Sequence, residues 1–359
     1  MKRGLALVVA WAVAGCAPSL PEPYLQDRAA AERAYASGRY EEAARHWRAA
    51  YQSADKKRDR AEALYRQAAS LRRAGQNEDA RRVLEELLKN FPKSSRAARA
   101  AYDVAQIEID TGDPARGYAL LEQSMVDRPA SGLAPRALVQ YASWLQDQKG
   151  GEAALAWLES LDARLGKTEL GESIAYAKAK KLDELDHQDA ALAAYLWVAD
   201  HYPYPDGAYW DDALWYAAKI EKQRSHPAQA VELLERMLHQ REPSHLQGSY
   251  EKPRYAEAQF EIAKLYRDAL NQPGRAMDAF HQVYASFPTT LLRDDALWQE
   301  ALLARKAGDG RRVCSAVTTL AKELPDSRYA PCARALCPSA PTPKGSHSCH
   351  AYVLRDLEP

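Results

Sequence analysis

A fixed internal repeat constrains this chain more than any other feature of its sequence. Related segments begin at 38, 75, 112, 149 and 186, which is a step of 37 residues, and looser copies follow at 225–237, 272–283 and 308–320. The segments GRYEEAARHWRAA (38–50) and GQNEDARRVLEEL (75–87) illustrate the pattern. A period of this length is typical of a solenoid, in which each repeat buries its apolar face against the next.

Each repeat carries small and large residues at fixed positions. A small residue is expected where the first helix of each repeat crosses the second: Ala31, Ala68, Ala105, Ala142, Ala179, Ala218, Ala263 and Ala301. The facing position of the second helix holds Ala43, Ala80, Gly117, Ala154, Ala191, Ala230 and Ala276, with Val313 as the exception. A large apolar residue follows four positions later: Trp47, Leu84, Leu121, Leu158, Tyr195, Leu234, Phe280 and Val317. This spacing places one apolar stripe on each second helix.

Proline and glycine occur where the helices of the repeats should end. Five prolines fall where second helices should close: Pro92, Pro129, Pro203, Pro288 and Pro325. Gly75, Gly112 and Gly308 fall at the turns between paired helices, where we expect a left-handed backbone that glycine adopts at little cost. Glycine is otherwise sparse and alanine, leucine, glutamate and arginine dominate the composition, which favours helix throughout.

These positions resemble the tetratricopeptide repeat, an antiparallel helix pair, although the unit here is longer than the usual length of about 34 residues. The resemblance implies an all-α, right-handed superhelical solenoid of about eight helix pairs over 24–325. It implies one continuous array rather than two domains, and a concave face of first helices that holds extended peptides or partner helices. A C-terminal cap and tail would cover 326–359.

The N-terminus has the pattern of an export signal. Two basic residues precede the apolar run GLALVVAWAVAG, which is too short to span a bilayer. Val13-Ala14-Gly15-Cys16 resembles the lipobox of bacterial lipoproteins, which implies cleavage of residues 1–15, lipidation of Cys16 and anchoring by several acyl chains. The alternative is an ordinary cleaved signal with a chance cysteine.

The residue after Cys16 bears on which membrane holds the anchor. Ala17 stands where retention in the inner membrane often requires aspartate, so we expect the periplasmic face of the outer membrane. Residues 16–28 contain three prolines and are expected to form a semi-extended spacer.

Four further cysteines, Cys314, Cys332, Cys337 and Cys349, lie near the C-terminus, and an oxidising compartment favours two disulfides among them. Of the three pairings, we expect Cys314–Cys332 and Cys337–Cys349. The rival interpretation is a metal site at HSCH, with His347, Cys349 and His350, but its spacing matches no familiar zinc pattern.

Two segments interrupt the repeat and are candidate binding surfaces. An aromatic cluster at 201–216 contains Tyr202, Tyr204, Tyr209, Trp210, Trp215 and Tyr216. It could line a ligand groove, since aromatic residues dominate binding hot spots, or pack the corner between repeats. The insertion at 239–254 is expected to be a loop, either tolerated or functional.

No catalytic motif emerges, so we expect no enzyme, cofactor or resident metal. Soluble lytic transglycosylases also carry a helical superhelix and a Glu-Ser pair, but Glu172-Ser173 lies inside a repeat, and the Gly-Leu-Met-Gln-type run of those enzymes does not follow it. The balance of 49 basic and 49 acidic residues gives no indication of a nucleic-acid partner.

The resulting hypothesis is a membrane-anchored periplasmic scaffold that binds proteins during assembly of an envelope complex. Its layout is similar to that of the β-barrel assembly machinery lipoprotein, the secretin pilot lipoproteins and the Tol-Pal-associated repeat proteins. The alternative is a non-catalytic accessory that binds peptidoglycan glycan.

Overall fold

The computed structural model describes residues 20–240, 253–342 and 348–355. Over these residues the regular structure is helical, as the repeat predicts. The first helix already begins at Glu22, so the expectation of a semi-extended spacer up to residue 28 is wrong. None of the described helices is both long enough and apolar enough to cross a bilayer. The chain divides into two compact units: 1–148 with 167–170, and 149–166 with 171–359. Continuity of the array over 24–325 stays a prediction.

The first unit contains the helices α1 (Glu22–Ala36), α2 (Tyr40–Ser53), α3 (Lys57–Arg73), α4 (Asn77–Asn90), α5 (Ala97–Thr111), α6 (Pro114–Asp127) and α7 (Ala134–Lys149). The α1–α2, α3–α4 and α5–α6 pairs each match one sequence repeat. Their predicted crossing residues Ala31, Ala43, Ala68, Ala80, Ala105 and Gly117 are all buried. Small residues at these crossings let the helix backbones approach closely.

The second unit begins with α8 (Gly151–Leu165) and continues with α9 (Gly171–Glu184), α10 (Gln188–His201), α11 (Trp210–Gln223), α12 (Pro227–His239), α13 (Pro253–Asp268), α14 (Pro273–Ser286), α15 (Arg293–Lys306) and α16 (Gly310–Glu323). Its core contains the predicted large residues of the second helices, Leu158, Tyr195, Leu234, Phe280 and Val317, each at most 2% exposed. The amphipathic stripe predicted from the sequence is therefore confirmed.

Most turns between the first and second helix of a repeat contain one residue in the left-handed conformation. Within three residues of the end of the first helix, φ is positive at Gly38, Gly75, Gly150 and Gly308, and also at the non-glycine residues Asp186, Ser225 and Asn271. In the turn after α3, for example, the next amide, that of Gln76, donates to the carbonyl of Leu71 at 2.9 Å. This contact closes the helix end in the manner of a Schellman motif.

The prediction for Gly112 is wrong. Its φ is −116°, outside the left-handed region. The chain enters α6 differently there, because Asp113 caps that helix by accepting from the amides of Ala115 and Arg116, and Pro114 begins it.

A compact cap follows α16. It consists of a 3₁₀ turn (Ala330–Cys332), the short helix α17 (Ala333–Leu336) and, in the tail, α18 (Ala351–Arg355). The ring of Tyr329 stacks on the fully buried Trp298 of α15, with centroids 5.1 Å apart, and its hydroxyl donates to Asp295 at 2.5 Å. The cap thus covers the last helix pair, as predicted.

The cap is held by two disulfides, but the expected pairing is wrong. The bonds are Cys314–Cys337 and Cys332–Cys349, with Cα–Cα distances of 5.1 and 4.8 Å. Because the chain makes another helical turn after Cys332, it is Cys337 at the end of that turn that reaches Cys314 on α16. Cys332 is thereby left to bond the tail, and Cys349 does not act as a thiolate ligand for a metal.

Candidate functional site

The predicted aromatic cluster does not form one surface. Trp210, the first residue of α11, is only 2% exposed and belongs to the hydrophobic core, so its assignment to a binding surface is wrong. Tyr204 packs against this core, with its ring centroid 5.7 Å from that of Trp210. These two residues hold the loop before α11 in place.

Tyr209 and Tyr202 attach the same loop to α9 and α10. The Tyr209 ring stacks on Tyr176 of α9 with centroids 4.5 Å apart, and its amide donates to Oε1 of Glu172 at 2.8 Å. Tyr202 meets the ring of Trp197 edge-on, with centroids 5.9 Å apart. The packed-corner interpretation therefore describes most of the cluster.

Glu172 has a structural partner in this corner. Burial raises the pKa of its carboxyl above the ordinary value, although the backbone amides of Tyr209 and Ala208 donate to it and favour the charged form. The Glu172-Ser173 pair, set aside in the sequence as accidental, thus includes a residue that fixes the loop onto α9.

Trp215 occupies a different position, on the face formed by first helices. It lines a small cavity of about 180 Å³ between α11 and α13, together with Ala218, Lys219, Lys222, Leu234, Glu261 and Leu265. The aromatic and aliphatic groups of this cavity are ringed by charged groups. Its volume is below the roughly 300 Å³ at which small-molecule pockets usually begin, and it suits a single apolar side chain. We call it the Trp215 cavity.

Ion pairs preorganise the rim of the Trp215 cavity. Glu261 accepts from Lys222 and from Lys264, and Arg254 pairs with Asp212. Burial opposes ionisation of Glu261, but the hydrogen bonds from Lys222 and Lys264 outweigh it and hold the pKa of the carboxyl below its ordinary value.

Cations also lie over the neighbouring rings. The Arg254 guanidinium is 5.7 Å from the ring centroids of both Trp215 and Tyr216, and Lys219 is 5.7 Å from that of Tyr216. These distances lie within the range of cation–π attraction.

A register of aromatic residues in the first helices was missed in the sequence. The residue three positions before the small crossing alanine is aromatic in six repeats: Tyr65, Tyr102, Tyr176, Trp215, Phe260 and Trp298. The signal was present as a fixed offset from the alanine. It would have separated Trp215, which belongs to this register, from Trp210, which does not.

The remaining predicted sites are only partly described. Cys16 and residues 241–252 of the insertion lie outside the described residues. The end of the insertion is described, and it brings Arg254 over the Trp215 ring. In the parts of the chain that are described, no group of three or more His, Cys, Asp or Glu side chains is arranged to hold a metal ion.

Comparison with known proteins identifies the repeat. The family model described as "Tetratricopeptide repeat" matches residues 62–94 and 257–290, which lie on α3–α4 and α13–α14. No curated protein matches the chain in sequence.

Solved structures of helical-repeat proteins are similar at low identity. The C-terminal part of a TPR repeat-containing protein from Cytophaga hutchinsonii is 13% identical, with 74% of this chain and 98% of that chain covered and a TM-score of 0.46. PilW, titled a type IV pilus biogenesis factor, is 16% identical, with 66% of this chain and 98% of that chain covered and a TM-score of 0.38. PilF of Pseudomonas aeruginosa is 16% identical, with 78% of this chain and 99% of that chain covered and a TM-score of 0.32. By its family matches, this chain contains tetratricopeptide repeats.

Proposed function

We propose that the chain is a non-catalytic scaffold that binds a protein partner on the first-helix face around Trp215. The observation that carries this proposal is the Trp215 cavity, an apolar recess of side-chain size within a rigid, ion-paired rim. A buried aromatic anchor surrounded by polar groups is the usual anatomy of a protein-binding hot spot.

The surroundings of the cavity restrict the partner. We infer an extended segment that inserts one bulky apolar side chain beside Trp215 and places an acidic residue near Lys219. Lys219 supports this preference, because it is exposed and lies over the ring of Tyr216, where an acidic side chain of the partner can reach it. Charge complementarity of this kind acts chiefly on association rate and specificity.

The location of the scaffold is part of the proposal. We infer an exported protein anchored through lipid on Cys16 to the periplasmic face of the outer membrane, where it serves the assembly of an envelope complex. The two disulfides of the cap support an oxidising compartment, because such bonds are rare in the cytosol.

A partner test uses two matched tryptophan variants. Tagged wild type, Trp215→Ala and Trp197→Ala are extracted gently in detergent, and bound proteins are quantified by mass spectrometry. Trp197 is 43% exposed on α10 and does not line the cavity, so it controls for loss of a surface tryptophan. We expect wild type and Trp197→Ala to recover a partner protein in near-stoichiometric amount. The amount recovered with Trp215→Ala should be at least tenfold lower. Equal recovery with all three would contradict the proposed surface.

Peptidoglycan binding is the competing function. The exposed ring of Trp197 stacks on His201 with centroids 4.0 Å apart, which presents a flat aromatic platform of a kind that could contact a sugar. Strong retention on purified sacculi without any protein partner would overturn the scaffold in favour of this alternative. Loss of that retention in Trp197→Ala would locate the glycan site.

The anchor is tested by membrane fractionation of Cys16→Ala. We expect the variant to be released into the soluble fraction or left unprocessed, since it cannot accept the lipid. Unchanged association with the outer membrane would refute lipidation.

A further inference from the structure

A second cleft lies in the first unit, on the first-helix face of α3, α5 and α7. Its volume is about 400 Å³, and it is rich in arginine, amide and carboxylate groups: Arg72, Arg99, Tyr102, Asp103, Gln106, Asp110, Leu121, Leu133, Arg136, Ala137 and Gln140 line it. We call it the arginine cleft. Its described lining has no tryptophan, unlike that of the Trp215 cavity, and three guanidinium groups define its chemistry.

Asp103 fixes two of these arginines. Its carboxylate is 3.1 Å from Nη1 of Arg72 and 3.4 Å from Nε of Arg99. It also accepts a hydrogen bond from the hydroxyl of Tyr65 at 3.2 Å, and the residue is only 9% exposed. A buried carboxylate with several partners restrains the guanidinium groups, which lowers the entropy cost of binding a further anion.

The arginines retain unused donors. A guanidinium carries five N–H groups in a planar fork, and Asp103 contacts one nitrogen of each arginine. Within the described parts of the chain, Arg136 makes no ion pair, and its side chain is exposed. These groups are suited to bidentate binding of carboxylates.

The same cleft offers acceptors that a peptide backbone can use. Gln140 donates to Gln106 at 3.2 Å, and Gln106 donates to Asp110 at 2.7 Å. This chain of bonds fixes both amides and leaves the carbonyl oxygen of Gln140 and the second carboxylate oxygen of Asp110 to accept from N–H groups. A sulfate ion has no donor and a hydrogen phosphate ion has only one or two O–H groups, whereas a peptide backbone offers N–H groups at regular intervals, so the combination favours a peptide.

We propose that the arginine cleft binds an acidic segment of a protein, with side-chain carboxylates held by Arg72, Arg99 and Arg136 and backbone amides held by Gln140 and Asp110. This site is separate from the Trp215 cavity. It gives the scaffold a second contact of different chemistry, for the same partner or for another.

Phage display of random peptides without a free C-terminal carboxylate tests the proposal on the full chain. Peptides enriched on wild type are expected to contain several Asp or Glu residues. The most enriched peptide is then synthesised with a fluorophore, together with a version that carries Asn and Gln instead. Fluorescence anisotropy should show at least about tenfold weaker binding of the neutral version, and weaker binding of the acidic peptide at high salt.

Arginine variants locate the site. We expect Arg136→Gln and Arg99→Gln each to lower the affinity for the acidic peptide about tenfold. Arg136→Gln removes no intramolecular ion pair among the described residues, so its effect does not depend on a change in folding. Arg82→Gln on α4, whose exposed guanidinium pairs with Asp79, is the matched control and should bind like wild type. Trp215→Ala should also bind this peptide normally, which separates this test from that of the Trp215 cavity.

Three results would overturn the proposal. The first is enrichment of peptides that lack acidic residues, and the second is wild-type affinity in Arg136→Gln and Arg99→Gln. The third is displacement of the bound peptide by inorganic phosphate as effectively as by unlabelled peptide, which would assign the cleft to phosphate groups.

Discussion

Gly117 of α6 lies against Ile109 of α5 with no space for a side chain. A Cβ atom at Gly117 would be 2.6 Å from both Cγ1 and the backbone nitrogen of Ile109. Equivalent crossings in the other repeats accommodate alanine, and Ala80 and Ala154 are fully buried there. The α5–α6 crossing is therefore tighter, and a glycine in mid-helix is a requirement of packing at this position.

Gly117→Ala should destabilise the first unit, although alanine is the better helix former. The steric overlap is with backbone, which cannot move aside as a flexible side chain would, and overpacking of this kind costs about 1–3 kcal/mol. Urea denaturation of wild type and variant measures the change in the free energy of unfolding.

Gly274→Ala is the control for this prediction. Gly274 is also helical, near the start of α14, and a Cβ there would meet nothing within 4 Å. The substitution should be neutral or stabilising by up to about 1 kcal/mol, because alanine loses less backbone entropy on folding. Equal effects of the two substitutions would contradict the close approach of α5 and α6.

The turn after α11 contains a serine where four other repeats have glycine. Ser225 has a φ of 62°, a conformation that is unfavourable for a residue with a Cβ. Ser225→Gly should raise the free energy of unfolding by about 0.5–1 kcal/mol, because relief of this strain exceeds the greater entropy of glycine in the unfolded chain. Thermal unfolding followed by circular dichroism gives the direction of the change.

Replacing a glycine at the equivalent turn position should instead lower the free energy of unfolding. Gly75 has a φ of 77°, and a Cβ atom there would meet nothing within 4 Å, so Gly75→Ala isolates the backbone effect from any clash. We expect a loss of about 1–2 kcal/mol. A stabilised Gly75→Ala would be incompatible with a left-handed turn at this position.

The disulfide pairing can be read from tryptic peptides of the unreduced protein. Cleavage after Arg312, Lys322, Arg328, Arg334, Lys344 and Arg355 places each of the four cysteines on a separate peptide. Mass spectrometry should detect 313–322 linked to 335–344, and 329–334 linked to 345–355, as the Cys314–Cys337 and Cys332–Cys349 bonds require. A link between 313–322 and 329–334 would instead restore the pairing expected from sequence order.

The helix pairs could be predicted because their cause is local and repeated. An alanine such as Ala68 or Ala179 recurs twelve residues before its partner on the next helix, and both are fully buried at a crossing. Eight copies of one weak pattern make a strong signal, and the same register was available for the aromatic residues that include Trp215.

The predictions from sequence were wrong where the position of a side chain depends on contacts specific to one repeat. Trp210 and Trp215 are equally aromatic in sequence, yet one lies in the core and the other lines a cavity, according to which side of α11 each occupies. The cysteine pairing depended on one extra helical turn after Cys332. The arginine cleft depends on Asp103 meeting side chains from two helices, which no spacing along one helix reveals.

Glu62 of α3 provides a pH-dependent contribution to stability that can be isolated. It accepts from Nη2 of Arg96 and from Nε of Arg66, each at 2.8 Å. Burial opposes its ionisation, but hydrogen bonds from these two arginines prevail and hold the pKa of the carboxyl below its ordinary value of 4.5. Because the folded state binds this proton less readily than the unfolded chain, the contribution is present above pH 4.5 and is lost as pH falls through the lower, folded pKa.

Glu62→Gln should therefore destabilise the protein by about 1 kcal/mol at neutral pH, since charge-assisted bonds are replaced by neutral ones. The difference from wild type should shrink towards zero as the carboxyl of the wild type becomes protonated. Urea denaturation of both proteins over a series of pH values from neutral to well below 4.5 measures this difference in the free energy of unfolding. Glu85→Gln, which alters an exposed pair with Arg81 on α4, should show a difference of only a few tenths of a kcal/mol. A gap between Glu62→Gln and wild type that stays constant over the acid range would mean that the Glu62 carboxylate does not stabilise the α3–α5 contact through its charge.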